Sequence, residues 1–269
     1  MNLPLREKVA VVIGASAGIG RAYAYALAQA GATVVAAART LGPASGEENN
    51  TLSHVVRTGR DLPGRIYAQV CDLTNETDVA RLMDQAAANF GRIDVLVNNA
   101  ALMGMFYEPL ALTCADWDRM ININLRGPYF AIRYAAPHMM QQRSGSIVNI
   151  TAKVAGFIPR SVDWADGTIL YGITKAGLNR LSHFMSEELK PHNIAVNALS
   201  PGVVATDTAL ASNPNLKDYG GKDPTPEVLG PAVVHLAQQS AETLTGQILH
   251  TDEFGKSWGV AEKESAPAH

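Results

Sequence analysis

The chain is poor in cysteine, in charge of one sign and in long apolar runs, and each shortage excludes a class of protein. Its 269 residues include only two cysteines, Cys71 and Cys114, so neither a disulfide framework nor a metal site is indicated. The formal net charge is −3 with basic residues spread along the chain, which argues against nucleic acid or anionic lipid as a partner. The longest run without a charged residue, the 17 residues between Arg21 and Arg39, is too short and too polar to span a bilayer.

The composition is that of a globular protein with a sizeable core. Hydrophobic residues make up 47% of the chain and charged residues 17%, which excludes a disordered or collagen-like chain. The N-terminus lacks the long apolar segment of a signal peptide. We therefore expect a soluble, cytoplasmic protein with one domain over residues 1–260 and a frayed tail over 261–269.

Apolar runs rich in Val and Ile alternate with segments of helical period. The runs show no alternation of polar and apolar residues, which predicts strands buried on both faces. They are Val9–Ile13, Thr33–Ala38, Ile66–Val70, Ile93–Val97, Ser146–Ile150, Ile194–Leu199 and Gly246–His250.

Between these strands, three segments have the periodicity and capping residues of helices. They are Arg21–Ala30, Glu76–Phe90 and Ala115–Gln142, with Thr74 and Thr113 as N-caps for the last two. Leu41–Asn50, Gly156–Gly167 and Ser212–Pro226 are expected to be loops. Alternating strands and helices predict an α/β fold, a single Rossmann-like doubly wound parallel sheet with helices on both faces. A ligand would then bind at the carboxyl ends of the strands.

A glycine-rich turn follows the first predicted strand. Gly14, Gly18 and Gly20 fall where the chain turns into a helix, and a helix N-terminus with free N–H groups attracts a phosphate. A simple glycine-rich turn is the alternative. After the second strand, Arg39 stands where a carboxylate would bind the ribose of NAD; an arginine suits a 2′-phosphate instead, so NADP(H) is favoured. A solvated surface arginine is the competing interpretation.

Tyr171 and Lys175 are spaced to share one face of a helix. A free phenol, with a pKa of about 10, is a poor proton carrier at neutral pH. A lysine cation beside it is expected to lower that pKa and to make Tyr171 a usable general acid. The same spacing also occurs by chance in many helices.

Several further motifs follow the glycine turn in order along the chain. With that turn and the Tyr171 and Lys175 pair, the matching residues are Gly14, Gly18, Gly20, Asp72, Asn98, Asn99, Ala100, Ala101, Asn124, Tyr171, Lys175, Pro201, Gly202 and Thr206. Taken together, these motifs resemble the short-chain dehydrogenase/reductase family over about residues 5 to 258. The stretch Ala37–Thr40, the long loop after it and the segment Thr251–Glu253 are similar to the hydroxysteroid dehydrogenase-like group of that family.

The resemblance implies a role for each matching residue. Asp72 would contact the adenine, Asn98 the adenosine ribose, Thr206 the nicotinamide carboxamide and Lys175 the nicotinamide ribose. Asn124 would hold a water of the proton relay, with Asn122 as its rival. Asp72 could instead be a turn residue, and Asn98 and Asn99 could instead brace the sheet. The full expected cofactor site is Gly14, Ser16, Gly18, Ile19, Gly20, Arg39, Thr40, Asp72, Leu73, Asn98, Ala100, Tyr171, Lys175, Pro201, Gly202, Val204 and Thr206.

The sequence departs from the family where a serine normally steadies the substrate oxygen. Ala152 occupies that place and cannot donate a hydrogen bond. Thr151 is the nearest hydroxyl and the candidate replacement, with a plain strand-end residue as the alternative. About six extra residues before Tyr171 form a loop in which Ser161 or Thr168 could also supply a hydroxyl. Ile13 and Ala101 depart from the pattern as well, without an expected effect on cofactor binding.

These inferences predict an NADP(H)-dependent oxidoreductase that interconverts a ketone and a secondary alcohol, with Tyr171 as general acid and base. Two alternatives stay open: a cofactor-binding protein with little turnover, and an epimerase or dehydratase on the same fold. The family implies a homo-oligomer, while the charge, the short apolar runs and the two cysteines argue against a nucleic acid, membrane or metal partner. A bulky, apolar substrate is expected from the residues at the likely pocket rim, which are Met103, Met105, Phe106, Phe157, Ile158, Trp164 and Leu210.

Overall fold

The fold is an α/β sandwich in which every strand is parallel to its neighbours. The computed structural model describes residues 3–42, 48–104, 109–156, 168–202, 204, 206 and 226–259. Its strands and α-helices are β1 (Val9–Ile13), α1 (Gly18–Gln29), β2 (Thr33–Ala38), α2 (Leu52–Thr58), β3 (Arg65–Val70), α3 (Glu76–Phe90), β4 (Val95–Asn98), α4 (Cys114–Ile121), α5 (Gly127–Gln142), β5 (Gly145–Ile150), α6 (Ile169–Leu189), β6 (Ile194–Ser200), α7 (Gly230–Ala237) and β7 (Ile248–His250).

The strand order places the ligand-binding edge. The seven-stranded sheet runs β3-β2-β1-β4-β5-β6-β7, and each neighbouring pair is parallel. The chain winds outward in one direction from β1 and then in the other from β4, so the strand order reverses between these two strands. Ligands of such sheets bind at that reversal, outside the carboxyl ends of the strands. The predicted doubly wound Rossmann-like fold is confirmed.

Two apolar layers cover the sheet, one on each face. Ala10 and Val12 of β1 join the cluster that includes residues of α1 and α7, whereas Val11 and Ile13 join the cluster that includes residues of α3 and α5. Successive side chains of a strand point to opposite faces, so a strand between two layers is buried at every position. This burial holds for β1, β4, β5 and β6.

The outer strands differ from the prediction of burial on both faces. Strands β3 and β7 form the two edges of the sheet, and Tyr67 and Ile248 are 47% and 50% exposed. An edge strand has a neighbour on one side only, so its apolar side chains are covered incompletely.

Helix α3 has its predicted bounds, but its N-cap is Asn75 rather than Thr74. Asn75 Oδ1 accepts hydrogen bonds from Thr77 N and Asp78 N, whereas Thr74 donates both its amide and its hydroxyl to Asp72. Thr113 caps α4 in a reciprocal capping box with Asp116, as predicted.

One long helix was expected where the structure has three segments. Helices α4 and α5 are separated by a π-helical turn over Asn122–Arg126. Helix α2, capped by Thr51, was not predicted. Of the expected loops, most of Gly156–Gly167 and of Ser212–Pro226 lies outside the described residues, as does the expected tail over 261–269.

Candidate active site

The glycine turn between β1 and α1 leaves no room for side chains. A Cβ on Gly14 would lie 2.7 Å from the Ala100 backbone, and one on Gly20 would lie 2.1 Å from the Gly14 carbonyl oxygen. Gly14 also has a φ of 82°, which favours glycine. Helix α1 starts at Gly18 behind Ala17, a residue without a capping side chain. Its first N–H groups therefore lack a side-chain cap, and this turn suits an anion such as phosphate.

The loop after β6 comes back to the glycine turn. A Cβ on Gly18 would lie 3.2 Å from Thr206 Cγ2, and Thr206 N donates to Val204 O at 2.9 Å. Gly202 has a φ of 80°. The structure thus brings Thr206 next to Gly18, as expected if both residues contact the same cofactor. Three other expected cofactor contacts are partly exposed: Ser16, Ile19 and Pro201.

Arg39 and Thr40 directly follow β2, and both are exposed. Asp72 follows β3; its Oδ1 accepts hydrogen bonds from Thr74 N at 2.9 Å and Thr74 Oγ1 at 2.8 Å. These two bonds lower the pKa of Asp72, and the positive charge of Arg39 adds to the effect. Asp72 is therefore a turn residue as well as a candidate adenine contact. Leu73 is buried, in contact distance of the Gly127 backbone.

The two asparagines after β4 brace the sheet with their side chains. Asn98 Nδ2 donates to Asn149 Oδ1 at 2.8 Å, and Asn99 Nδ2 donates to the Gly14 carbonyl oxygen at 3.0 Å. Asn98 Oδ1 is buried without a hydrogen-bond partner among the described residues. Ala100 lies against Gly14, and its amide donates to Ile13 O at 2.9 Å. The bracing interpretation thus describes both asparagine side chains.

Asn124, rather than its rival Asn122, is the fully buried asparagine of the π-helical turn. Its Oδ1 accepts from Leu102 N at 2.7 Å, while Nδ2 donates to Leu102 O at 2.9 Å and to Thr174 Oγ1 at 3.0 Å. Thr174 immediately precedes Lys175. A π-turn inserted in a helix is common at functional sites, and here it joins the segment after β4 to α6.

Tyr171 and Lys175 lie on the first two turns of α6, with Lys175 Nζ 5.5 Å from the centre of the Tyr171 ring. Lys175 is 2% exposed, and its Nζ donates to Ile150 O at 2.7 Å. Burial lowers the pKa of Lys175 to about 7 and raises the pKa of Tyr171 to about 12. The expectation that Lys175 lowers the pKa of Tyr171 is wrong for this structure, because the loss of solvent disfavours both charged forms.

The structure does not support Thr151 as the replacement for the missing serine. Its side chain is 1% exposed and its amide donates to Leu199 O, so a substrate entering from solvent would not reach the hydroxyl. Ala152 is partly exposed and begins the 3₁₀ turn Lys153–Ala155. That turn packs on α6, where a Cβ on Gly172 would lie 2.8 Å from Val154 O.

Other predicted residues fall outside the described part of the chain. At the expected pocket rim, Met103 is 41% exposed; Met105, Phe106, Phe157, Ile158, Trp164 and Leu210 are not among the described residues, and neither is Ser161. Thr168, the other candidate hydroxyl, is buried at the start of α6.

A buried polar chain behind the site was not predicted. Asn149 Nδ2 donates to Ser182 Oγ, which donates to Leu178 O, and this connects Asn98 through β5 to α6. A sequence signal did exist, because Asn149 carries an amide between the apolar residues Val148 and Ile150 of the strand run.

Comparison with known proteins agrees with this geometry. The short chain dehydrogenase family model matches residues 8–217. The chain belongs to the short-chain dehydrogenase family. Within the described residues of this short-chain dehydrogenase, no helix meets the length and hydrophobicity needed to cross a membrane, and no group of three or more His, Cys, Asp or Glu is placed to hold a metal.

Named relatives of this short-chain dehydrogenase are oxidoreductases. The 3-oxoacyl-[acyl-carrier-protein] reductase FabG of Thermotoga maritima is 33% identical, over 92% of this chain and 97% of that protein. The cis-4-hydroxycyclohexanecarboxylate dehydrogenase of Sinomonas cyclohexanicum is 34% identical, over 94% and 98% of the two chains. A solved structure of a putative NAD(P)-dependent gluconate 5-dehydrogenase from Beutenbergia cavernae, with bound NADP, has a TM-score of 0.79 at 29% identity and covers 96% of this chain and 100% of that one.

Proposed function

We propose that this short-chain dehydrogenase transfers hydride between NADP(H) and a ketone or secondary alcohol with a bulky, largely apolar skeleton. The observation that carries the proposal is the placement of Tyr171 and Lys175 at the carboxyl edge of the sheet, on the helix that follows β5. The bound dinucleotide supplies or accepts the hydride. The protein binds it, aligns the substrate and moves a proton.

Arg39 is proposed to select the phosphorylated cofactor. It is exposed directly after β2, and its charge reaches Asp72 on the neighbouring strand end. A guanidinium binds a 2′-phosphate in a forked geometry, while a carboxylate for an unphosphorylated ribose is missing after β2. The glycine turn from Gly14 to Gly20 is proposed to hold the pyrophosphate. The NADP bound to the Beutenbergia cavernae relative is consistent with this choice.

Tyr171 is proposed to give a proton to the ketone oxygen. Burial raises the pKa of Tyr171 to about 12, so the phenol holds its proton at neutral pH and releases it only where the phenolate is stabilised. Lys175 holds the end of β5 through Ile150 O and, when charged, stabilises the phenolate that remains. Asn124 is proposed to take part in returning the proton, because its side chain bonds to Thr174 beside Lys175.

An apolar substrate is supported by Met103, which follows β4 and is 41% exposed. The relative named for cis-4-hydroxycyclohexanecarboxylate supports an alicyclic alcohol, one that also carries a carboxylate. Ala152 offers the substrate oxygen no hydroxyl, so Tyr171 is the hydrogen-bond donor assigned to it here.

The decisive assay follows NADPH oxidation, compared with NADH, over a panel of bulky ketones. Native protein should prefer NADPH, and Tyr171→Phe should abolish turnover while the variant still binds NADPH. Tyr67→Phe is the matched control, since Tyr67 is an exposed tyrosine on the edge strand β3. Equal turnover in the native protein and in Tyr171→Phe would refute the assigned role.

A second candidate function is favoured by Ala152: a protein that binds NADPH with little or no turnover. An epimerase or dehydratase that returns the cofactor to its starting state is a related case. Tight NADPH binding in a calorimeter, without oxidation by any ketone, would support this class.

A homo-oligomer is proposed from the apolar side chains that α4, α5 and α6 expose. They include Trp117, Tyr129, Ile173 and Phe184, each more than 40% exposed. Helices with several exposed large apolar residues often form interfaces. Light scattering on a sizing column would distinguish a monomer of 28.6 kDa from its multiples.

A further inference from the structure

A row of unpaired polar atoms lies at the carboxyl ends of three neighbouring strands. Thr151 Oγ1, Ser200 Oγ and His250 Nδ1 are buried and have no hydrogen-bond partner among the described residues. Thr151 and Ser200 are also 1% and 0% exposed as whole residues. Buried hydroxyls in proteins nearly always have a partner, so a run of unpaired ones needs an explanation.

The strand register places these three residues side by side. Ile150 is paired with Leu199, and Thr151 N donates to Leu199 O at 2.9 Å, so Thr151 comes next to Ser200. Ser200 is in turn paired with His250. The row therefore runs from β5 through β6 to β7.

Because side chains alternate along a strand, the three residues of the row point to the same face of the sheet. Ile150, Leu199 and Leu249 all belong to the apolar cluster on the side of α1 and α7. The next residue of each strand points to the opposite face, where Asn149 already bonds to Ser182 of α6. Asn179 lies on α6 between Lys175 and Ser182, and its Oδ1 is a fourth buried atom without a partner.

The spacing between the strands suits a bridging water. Facing hydroxyls on neighbouring strands can bond to each other directly, but Thr151 Oγ1 and Ser200 Oγ do not. A water that makes two bonds of about 2.8 Å would connect two hydroxyls on strands about 4.8 Å apart. Buried waters have two to four polar partners, and the row and Asn179 offer four candidates.

We propose that Thr151, Ser200, His250 and Asn179 form a binding site for ordered water between the sheet and α6. One water bridges Thr151 Oγ1 and Ser200 Oγ. His250 Nδ1 and Asn179 Oδ1 are the remaining polar atoms of the site. The site ties the end of β5, which precedes Ala152, to the helix of Tyr171 and Lys175. It assigns Thr151 a structural ligand rather than the substrate, and it does not depend on the proposed reaction.

A crystal structure of the native protein at about 1.5 Å resolution tests the site directly. We expect a water within hydrogen-bond distance of both hydroxyls. Hydroxyls that bond to protein groups instead, or a site without solvent density, would overturn the proposal.

The melting temperatures of variants give an independent test with opposite signs. If a water is bound, Thr151→Val removes one of the hydrogen-bond partners of that water and weakens its bond to Ser200. The melting temperature should then fall by about 2 to 4 °C. If the row is dry, the same change removes a buried unpaired hydroxyl, and the melting temperature should rise. Thr151→Ser keeps the hydroxyl and should retain more of the native melting temperature than Thr151→Val.

Two further variants calibrate the result. Ser146→Ala removes a buried hydroxyl that has a protein partner, Leu236 O at 2.7 Å, and should lower the melting temperature. Thr151→Val combined with Ser200→Ala should cost no more than the larger single change, because one shared water is lost only once. Additive losses would mean that the two hydroxyls have separate partners, and the bridge would be refuted.

Discussion

Placing a serine at position 152 should speed the reaction that we propose. Ala152 has an extended backbone, with φ −151° and ψ 156°, which serine adopts without strain. Its side chain is partly exposed, and the turn that follows packs on α6 beside Tyr171. A hydroxyl at this position would therefore add a second donor for the substrate oxygen.

The size of the gain follows from what one donor contributes elsewhere. Removing one hydrogen-bond donor from an oxyanion site costs about 10² to 10³ in rate, or about 2.7 to 4 kcal/mol. The surroundings of Ala152 are not arranged to orient a new hydroxyl, so we expect less, a rise in kcat of about tenfold, equivalent to about 1.4 kcal/mol.

Steady-state NADPH oxidation with a saturating ketone measures this rise. The gain should appear in kcat, because the negative charge on the oxygen develops in the transition state. Ala152→Gly changes the side chain without adding a donor and should show no gain. Combining Ala152→Ser with Tyr171→Phe should be inactive. An unchanged or lower kcat in Ala152→Ser would show that position 152 does not face the substrate oxygen, or that another donor already serves it.

Three further changes test other parts of the structure. Gly20→Ala should abolish NADPH binding measured by calorimetry, because its Cβ would lie 2.1 Å from the Gly14 carbonyl oxygen and the turn must deform. Arg39→Asp should reverse the preference for NADPH over NADH by at least about tenfold in kcat/KM, and an unchanged ratio would contradict the role of Arg39. Asp94→Asn should lower the free energy of unfolding by about 2 kcal/mol at pH 7 in denaturant titrations. Burial raises the pKa of Asp94, but hydrogen bonds from Arg92, Val9 N and Lys8 outweigh it and hold that pKa below its usual value. The stabilisation is therefore present at neutral pH and lost as the pH falls through the folded-state pKa, so the native protein and the variant should converge in acid.

The parts of the fold that were predictable from sequence are those in which local pattern and burial agree. Strand β1 has the expected bounds because it coincides with one uninterrupted apolar run. Helix α3 has the expected bounds because Gly91, with a φ of 78°, ends it. Helix α2 has only seven residues, too few to establish a helical period. The π-helical turn after α4 was missed for a different reason: the side-chain bonds of Asn124 to Leu102 and Thr174 come from other elements.

The same distinction applies to the candidate site. Spacing in the sequence identifies Tyr171 and Lys175 as neighbours. It does not show how deeply they are buried, and the direction of a pKa shift depends on whether the loss of solvent outweighs the effect of a nearby charge. In the structure the loss of solvent dominates, and Lys175, with a pKa of about 7, is only partly charged at neutral pH. Burial of the Tyr171 phenol raises its pKa to about 12, so Tyr171 keeps its proton at neutral pH. A phenol with a raised pKa holds its proton but is a weaker acid, so proton transfer to a ketone oxygen depends on a charged Lys175 that stabilises the phenolate.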